Sequence, residues 1–114
     1  MRRRAPRHAD EDRAYRELRA RLIPGPCEVC PQLIAAGVEI SCDGLAHELH
    51  HRRKRSSSGA LANRANVVVC CHTANMAMED RAEVIPVAEQ LGLVVREGHP
   101  EWDELSARAW RLAA

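Results

Sequence analysis

Phenylalanine is missing from this chain, tyrosine occurs once and tryptophan twice. Any core must therefore be aliphatic, built from Leu, Val, Ile and Ala. At 114 residues it sits near the lower end for one self-sufficient domain, where a bound metal or a partner chain adds needed stability. No apolar run approaches the about 18 residues of a membrane span, and no signal-peptide pattern is present. Five cysteines, an odd number with two adjacent, argue against a secreted disulfide framework. The expectation is a reducing, cytoplasmic setting with no membrane partner, where cysteines act as metal ligands or buried thiols. Lysine is nearly absent too: 16 of the 17 basic residues are arginine. The guanidinium fork suits phosphate, although a GC-rich genome gives the same bias.

What is present is unevenly spread. Residues 1–71 hold 13 basic against 8 acidic side chains, net +5, and residues 72–114 hold 4 against 8, net −4. Such a split suits docking one face on a polyanion. Residues 1–8 read as a basic flexible arm. Residues 9–22 read as a helix, with acids in its first turn, arginines in its last, and Tyr15, Leu18 and Leu22 on one face. Pro24-Gly25-Pro26 stops it. Gly37–Ile40 and Leu45–Leu49 alternate apolar and polar about Ser41-Cys42-Asp43-Gly44, the pattern of a β-hairpin with Asp-Gly at its bend. Val67–Cys70 reads as a buried strand opened by Asn66. A helix from Thr73, with Thr73 as N-cap, follows. A shorter helical piece runs from Pro86 to Gly92, Leu93–Val95 is a last strand, and Asp103–Leu112 is a terminal helix with Trp102, Leu105 and Trp110 as apolar contacts.

Cys27-Glu28-Val29-Cys30, after a proline-rich turn, has the spacing of half a zinc knuckle. The other half is irregular. A second pair starting at Cys71 would need a cysteine where Ala74 stands, and His72 is the available substitute. Zinc on Cys27, Cys30, Cys71 and His72, an empty site, and plain buried thiols all stay open. Cys42 reads as a lone core or turn thiol.

The chemistry concentrates between His47 and Glu79. His50 and His51 end the expected second hairpin strand, and Arg52, Arg53, Lys54 and Arg55 follow directly. Asn75 and Glu79, four apart, project from one helical face. Imidazole, amide and carboxylate beside a cation cluster suggest metal-assisted chemistry on a phosphate backbone. Each element has a bland reading as well. A histidine doublet can be a surface feature, a cation run is often a solvated face, and helical acids usually face solvent.

Taken in order, these blocks resemble the HNH endonucleases, the ββα-metal nucleases, and within them the small phage and prophage members. The resemblance covers residues 27–95 and rests on Cys27–Cys30, Glu48–Ser56, Asn66–Cys71 and Pro86–Leu93. It implies an α+β fold: one domain over residues 1–114 with a ββα core of hairpin plus helix, flanking helices, a zinc knuckle, and a helical extension over 96–114. It implies His50 as a metal ligand, His51 as general base and Asn66 as the brace that holds the His51 ring. The family's two helix ligands are usually histidines. Nine residues after Asn66 stands Asn75, and four further stands Glu79, so the spacing is kept and the residue types differ. An imidazole, an amide oxygen and a carboxylate make a harder set, favouring Mg²⁺ or Mn²⁺ over Zn²⁺ or Ni²⁺. Arg52, Arg53, Lys54, Arg55 and Ser56 would hold phosphates of double-stranded DNA, and a phage terminase large subunit is the implied protein partner. The rivals are a catalytically weakened DNA-binding module of the same fold and a zinc-ribbon-like adaptor for a protein partner.

Overall fold

A run of β-branched residues wants cover on both faces, and Val67–Cys70 obtains it. In the computed structural model, which describes residues 6–113, this run is β4, paired antiparallel with β3 (Glu48–His51). The register sets Glu48 opposite Cys70, Leu49 opposite Val69, His50 opposite Val68 and His51 opposite Val67. Side chains alternate along a strand, so Leu49, Val67 and Val69 pack on α1 (Pro6–Leu22), where Leu18 is buried beside Tyr15 and Leu22. Val68 and Cys70 face the opposite layer, made by α2 (Cys30–Ala35), α3 (His72–Asp80) and α4 (Ile85–Gln90). Two short strands, β1 (Gly25–Pro26) and β2 (Leu45–Ala46), form a second antiparallel pair. With α5 (Ala107–Ala113), the described residues make a small α+β fold of five α-helices and two two-stranded sheets. No helix among them is long and apolar enough to cross a membrane.

Several expectations are corrected. The hairpin about Ser41–Gly44 does not form. Asp43 and Gly44 do turn the chain, with Gly44 at φ +86° and the Leu45 N–H donating to Asp43 Oδ1 at 2.9 Å. However, Gly37–Ile40 is not a strand, because Val38 and Ile40 pack onto the cysteine-containing cluster instead. The Leu45–Leu49 run is split at His47 into β2 and β3, which pair with β1 and β4. Local turn chemistry was right, and burial chose other partners. The first helix begins at Pro6, so the first turn holds no acid; Arg19 and Arg21 do close its last turn. Of the basic arm, residues 1–5 lie outside the described residues. Cys71, not Thr73, caps α3, its Sγ accepting from the Ala74 N–H. Leu93–Val95 is buried but is not a strand; the Val95 N–H donates to the Arg52 carbonyl at 2.8 Å. The terminal helix starts at Ala107 rather than Asp103, with Ser106 Oγ accepting from the Ala109 N–H.

Candidate functional site

β3 delivers two histidines to opposite faces of its ribbon, and each ring is tied down by a backbone carbonyl. His50 is 5% exposed and bonds through Nε2 to the Leu93 carbonyl at 2.8 Å. His51 bonds through Nε2 to the Leu61 carbonyl at 2.9 Å, and its ring stacks on Tyr15 with centroids 5.9 Å apart. A carbonyl only accepts, so Nε2 carries the proton in both rings and Nδ1 keeps the lone pair in the neutral form. Burial pushes both rings below the ordinary histidine value of 6.5. For His50 the Leu93 bond, the Glu79 charge and Asn75 oppose that shift, and Lys54 adds to it. For His51 the Leu61 bond opposes it and the Arg55 charge adds to it. Both rings are therefore neutral near pH 7, each with a basic nitrogen to offer.

Asn66 braces this geometry. It is fully buried; its Oδ1 accepts from the Arg53 N–H at 2.8 Å, and its Nδ2 donates to the carbonyls of Arg53 (3.1 Å) and Ala60 (2.9 Å). One side chain thus closes the long loop between β3 and β4 at both ends. It fixes Ala60, the neighbour of the Leu61 carbonyl that orients His51, so its hold on that ring is indirect. Asn66→Ala would leave three buried backbone groups without partners. The expected loss is about 3 kcal/mol, read as a lower urea midpoint at unchanged slope; an unshifted midpoint would remove the brace.

α3 brings Asn75 and Glu79 to the same cleft, about 310 Å³ in volume, which His50, His51, Lys54, Arg55 and Ser56 also line. Glu48, at the start of β3, makes a very short hydrogen bond with the Asn75 amide nitrogen and accepts from His72 Nδ1 at 2.5 Å. A carboxylate cannot donate, so Asn75 turns its NH₂ to Glu48, leaving Oδ1 on the other side of the amide. Burial pushes the Glu48 carboxyl up, but bonding from His72 and Asn75 and the His72 charge prevail, holding it below the usual range. Glu79 Oε2 pairs with Lys54 Nζ at 3.2 Å, both side chains being nearly half exposed.

The cation run divides. Arg52 donates to the carbonyls of Gly92 (2.7 Å) and Ala65 (2.9 Å) and makes a two-pronged pair with Glu101 at 2.8 and 2.9 Å. Arg53 is buried, donates to the Ser57 and Trp102 carbonyls, and lies 3.7 Å above the Trp102 ring. These two were expected on phosphates. Their guanidinium groups are instead internal struts between the loop and the chain's last third. Lys54, Arg55 and Ser56 are exposed.

The cysteine site also departs from expectation. Cys27, Cys30, Cys42 and Cys71 have sulfurs all within 4.8 Å of one another, and the Cys30 and Cys71 sulfurs lie 3.5 Å apart. A tetrahedral Zn–S₄ site with bonds of about 2.3 Å has edges of about 3.8 Å, so four thiolates here could hold a metal ion. His72 is not in the group; as the first residue of α3 it turns out toward Glu48. Cys42 takes that place, its Sγ accepting from the Gly44 N–H at 3.3 Å. Burial pushes the Cys27 thiol up, but the Cys30, Cys71 and Val29 N–H groups outweigh it and hold it at about 7. Burial and the neighbouring thiols push Cys30 up, and burial likewise raises Cys71. Four thiolates cannot share this space without a cation. Cys70, beside them in sequence, is a buried thiol of the core with burial pushing it up to about 12.

Sequence reasoning read Cys42 only as a lone core or turn thiol and Tyr15 only as a helix-face residue, and it gave Glu48 no part in the site. A cysteine with glycine two residues on, in a tight turn, was the available signal for Cys42. Glu48 and Tyr15 have roles set only by pairing and packing. No family model, curated protein or solved structure matches the chain.

Proposed function

We propose that this chain is a metal-dependent endonuclease of the HNH type that hydrolyses phosphodiester bonds in DNA. The observation that carries the reading is the shared cleft. The His50 and His51 rings each keep a basic Nδ1, and both residues line one cleft with Asn75, Glu79, Lys54, Arg55 and Ser56. His50, Asn75 and Glu79 would hold a divalent ion, Mg²⁺ or Mn²⁺ by their hardness, which offsets charge on the phosphate oxygens. His51 Nδ1 takes a proton from water as the water oxygen attacks phosphorus and the P–O3′ bond breaks; the O3′ then takes a proton from solvent. The four cysteines would hold structural zinc, replacing the core mass that absent aromatics do not supply. A place beside a phage terminase is the setting the resemblance implies.

One observation favours a second reading, a DNA-binding module without catalysis: Lys54 already pairs with Glu79. Exposed pairs of this kind contribute at most about 1 kcal/mol, so displacing the ammonium costs an incoming ion about fivefold in affinity. The enzyme reading therefore stands ahead. The test is conversion of supercoiled plasmid to the relaxed, nicked circle with Mg²⁺, Mn²⁺, Zn²⁺ or Ni²⁺. Glu79→Ala should lose nicking and keep most of its DNA affinity. Glu79→His should shift the preferred ion toward Zn²⁺ or Ni²⁺. Equal nicking by Glu79→Ala removes Glu79 from the ion site, and salt-sensitive binding by a wild-type chain that never nicks selects the second reading.

A further inference from the structure

Two depressions meet at Arg55. The histidine cleft ends on it, and so does a wider groove of about 650 Å³ between α1 and α5, lined by Glu11, Arg53, Arg108 and Arg111 among others. The groove joins segments far apart in sequence, yet it is firmly built. The Ala60 N–H donates to the Leu105 carbonyl at 2.9 Å, and the Ala107 N–H to the Ser58 carbonyl at 2.8 Å, on either side of a bridge between Gly59 and Ser106. Only glycine fits at that bridge, because a Cβ at position 59 would lie 1.8 Å from the Arg53 carbonyl oxygen. The loop carrying Arg55 and the segment carrying Arg108 thus hold a set spacing.

The lining has four arginines against Glu11 and Asp103, a balance of +2. Their availability differs. Arg53 is committed inside. Glu11 is 5% exposed and has Arg111 Nη1 at 3.5 Å, so that acid is covered by its own cation. Arg55 and Arg108 are exposed and form no ion pair among the described residues. Arg108 and Arg111, three apart on α5, share one helical side.

We propose that this groove is a second backbone-binding site for DNA, taking phosphates of the strand that continues from the histidine cleft, with Arg55 common to both and Arg108 the outer anchor. It rests on the DNA reading above. Guanidinium groups spaced along a continuous, open, polar trough match a repeating phosphodiester, whereas a single small anion would need only one end of it. Contacts of this kind fix register and carry no sequence preference.

The test is binding of the full chain to a labelled non-specific duplex, by anisotropy across a salt series without added divalent ions. Arg108→Gln should weaken binding several-fold at low salt and make the slope of log affinity against log salt shallower by about one. Arg55→Gln should do the same, and Arg108→Lys should restore the slope. Arg108 is exposed on a short helix, so circular dichroism should show the variants folded; Arg111 is left alone because Glu11 depends on it. A slope unchanged in Arg108→Gln overturns the groove, and the nuclease reading survives if plasmid is still nicked. A shallower slope in a chain that nicks nothing upholds the groove and removes the nuclease reading. The same change on single-stranded DNA alone upholds it with that strand as ligand. No DNA binding by the wild type, or an arginine-dependent grip on polyglutamate alone, overturns it in favour of an acidic protein partner.

Discussion

Cys42→Ser should abolish most zinc binding and lower the stability of the fold with it. Wild-type protein should carry one zinc ion per chain, and a strong chelator should unfold it. Structural zinc in peptide sites contributes about 10–16 kcal/mol of apparent binding free energy at pH 7. That rivals the whole stability of a domain this size, about 5–15 kcal/mol. Even groups behind the ligands cost 10–100-fold in affinity when removed, so a lost ligand should cost at least about 100-fold. By the affinity scale that is about 2.7 kcal/mol, or a fall in Tm of about 10 °C or more. The matched control is His72→Ala, which should keep the ion because His72 faces Glu48 rather than the sulfurs. Metal analysis decides: if His72→Ala loses zinc and Cys42→Ser keeps it, the four-sulfur assignment is wrong.

The second large effect is on turnover. His51→Ala should lower DNA nicking by about 10³-fold, the middle of the range for removing a general base. Stability should fall by only about 1–2 kcal/mol for the lost Leu61 bond and Tyr15 contact. DNA affinity should hold, because Lys54, Arg55 and Ser56 are untouched. The pH profile carries the sign of the burial effect. A base pushed below 6.5 is unprotonated at neutral pH, so the wild-type rate should be level above about pH 7 and fall as acid protonates the ring. A rate still climbing between about pH 7 and 8 would point to a different base. A His51→Ala chain that nicks at the wild-type rate would end the proposed mechanism.

Much of the layout was readable from local patterns. Tyr15, Leu18 and Leu22 fall on one side of a helix by spacing alone, and that side is the one that packs on β3 and β4. Val67–Cys70 announces a strand through its β-branched run, and Asn75 and Glu79 share a helical face by their separation of four. The pairing of strands was not readable. Gly37–Ile40 and Leu45–Leu49 have the alternation and the turn of a hairpin. Val67–Cys70 offered β3 a partner whose two faces could both be buried, and it displaced the local candidate.

The division follows the range of the forces. Chain-local preferences determined by themselves that histidine, amide and carboxylate would stand on a strand end and a helix, and the sequence alone that the basic charge would gather in the first two-thirds. Only the tertiary fold decided what each group was spent on. It turned Arg52 and Arg53 inward as struts, brought Cys42 to the sulfur cluster in place of His72, and set Arg55 between two clefts. A guanidinium or a sulfur has the same intrinsic chemistry anywhere in the chain; whether it meets solvent, a carbonyl or three other thiols depends on residues forty or fifty positions away.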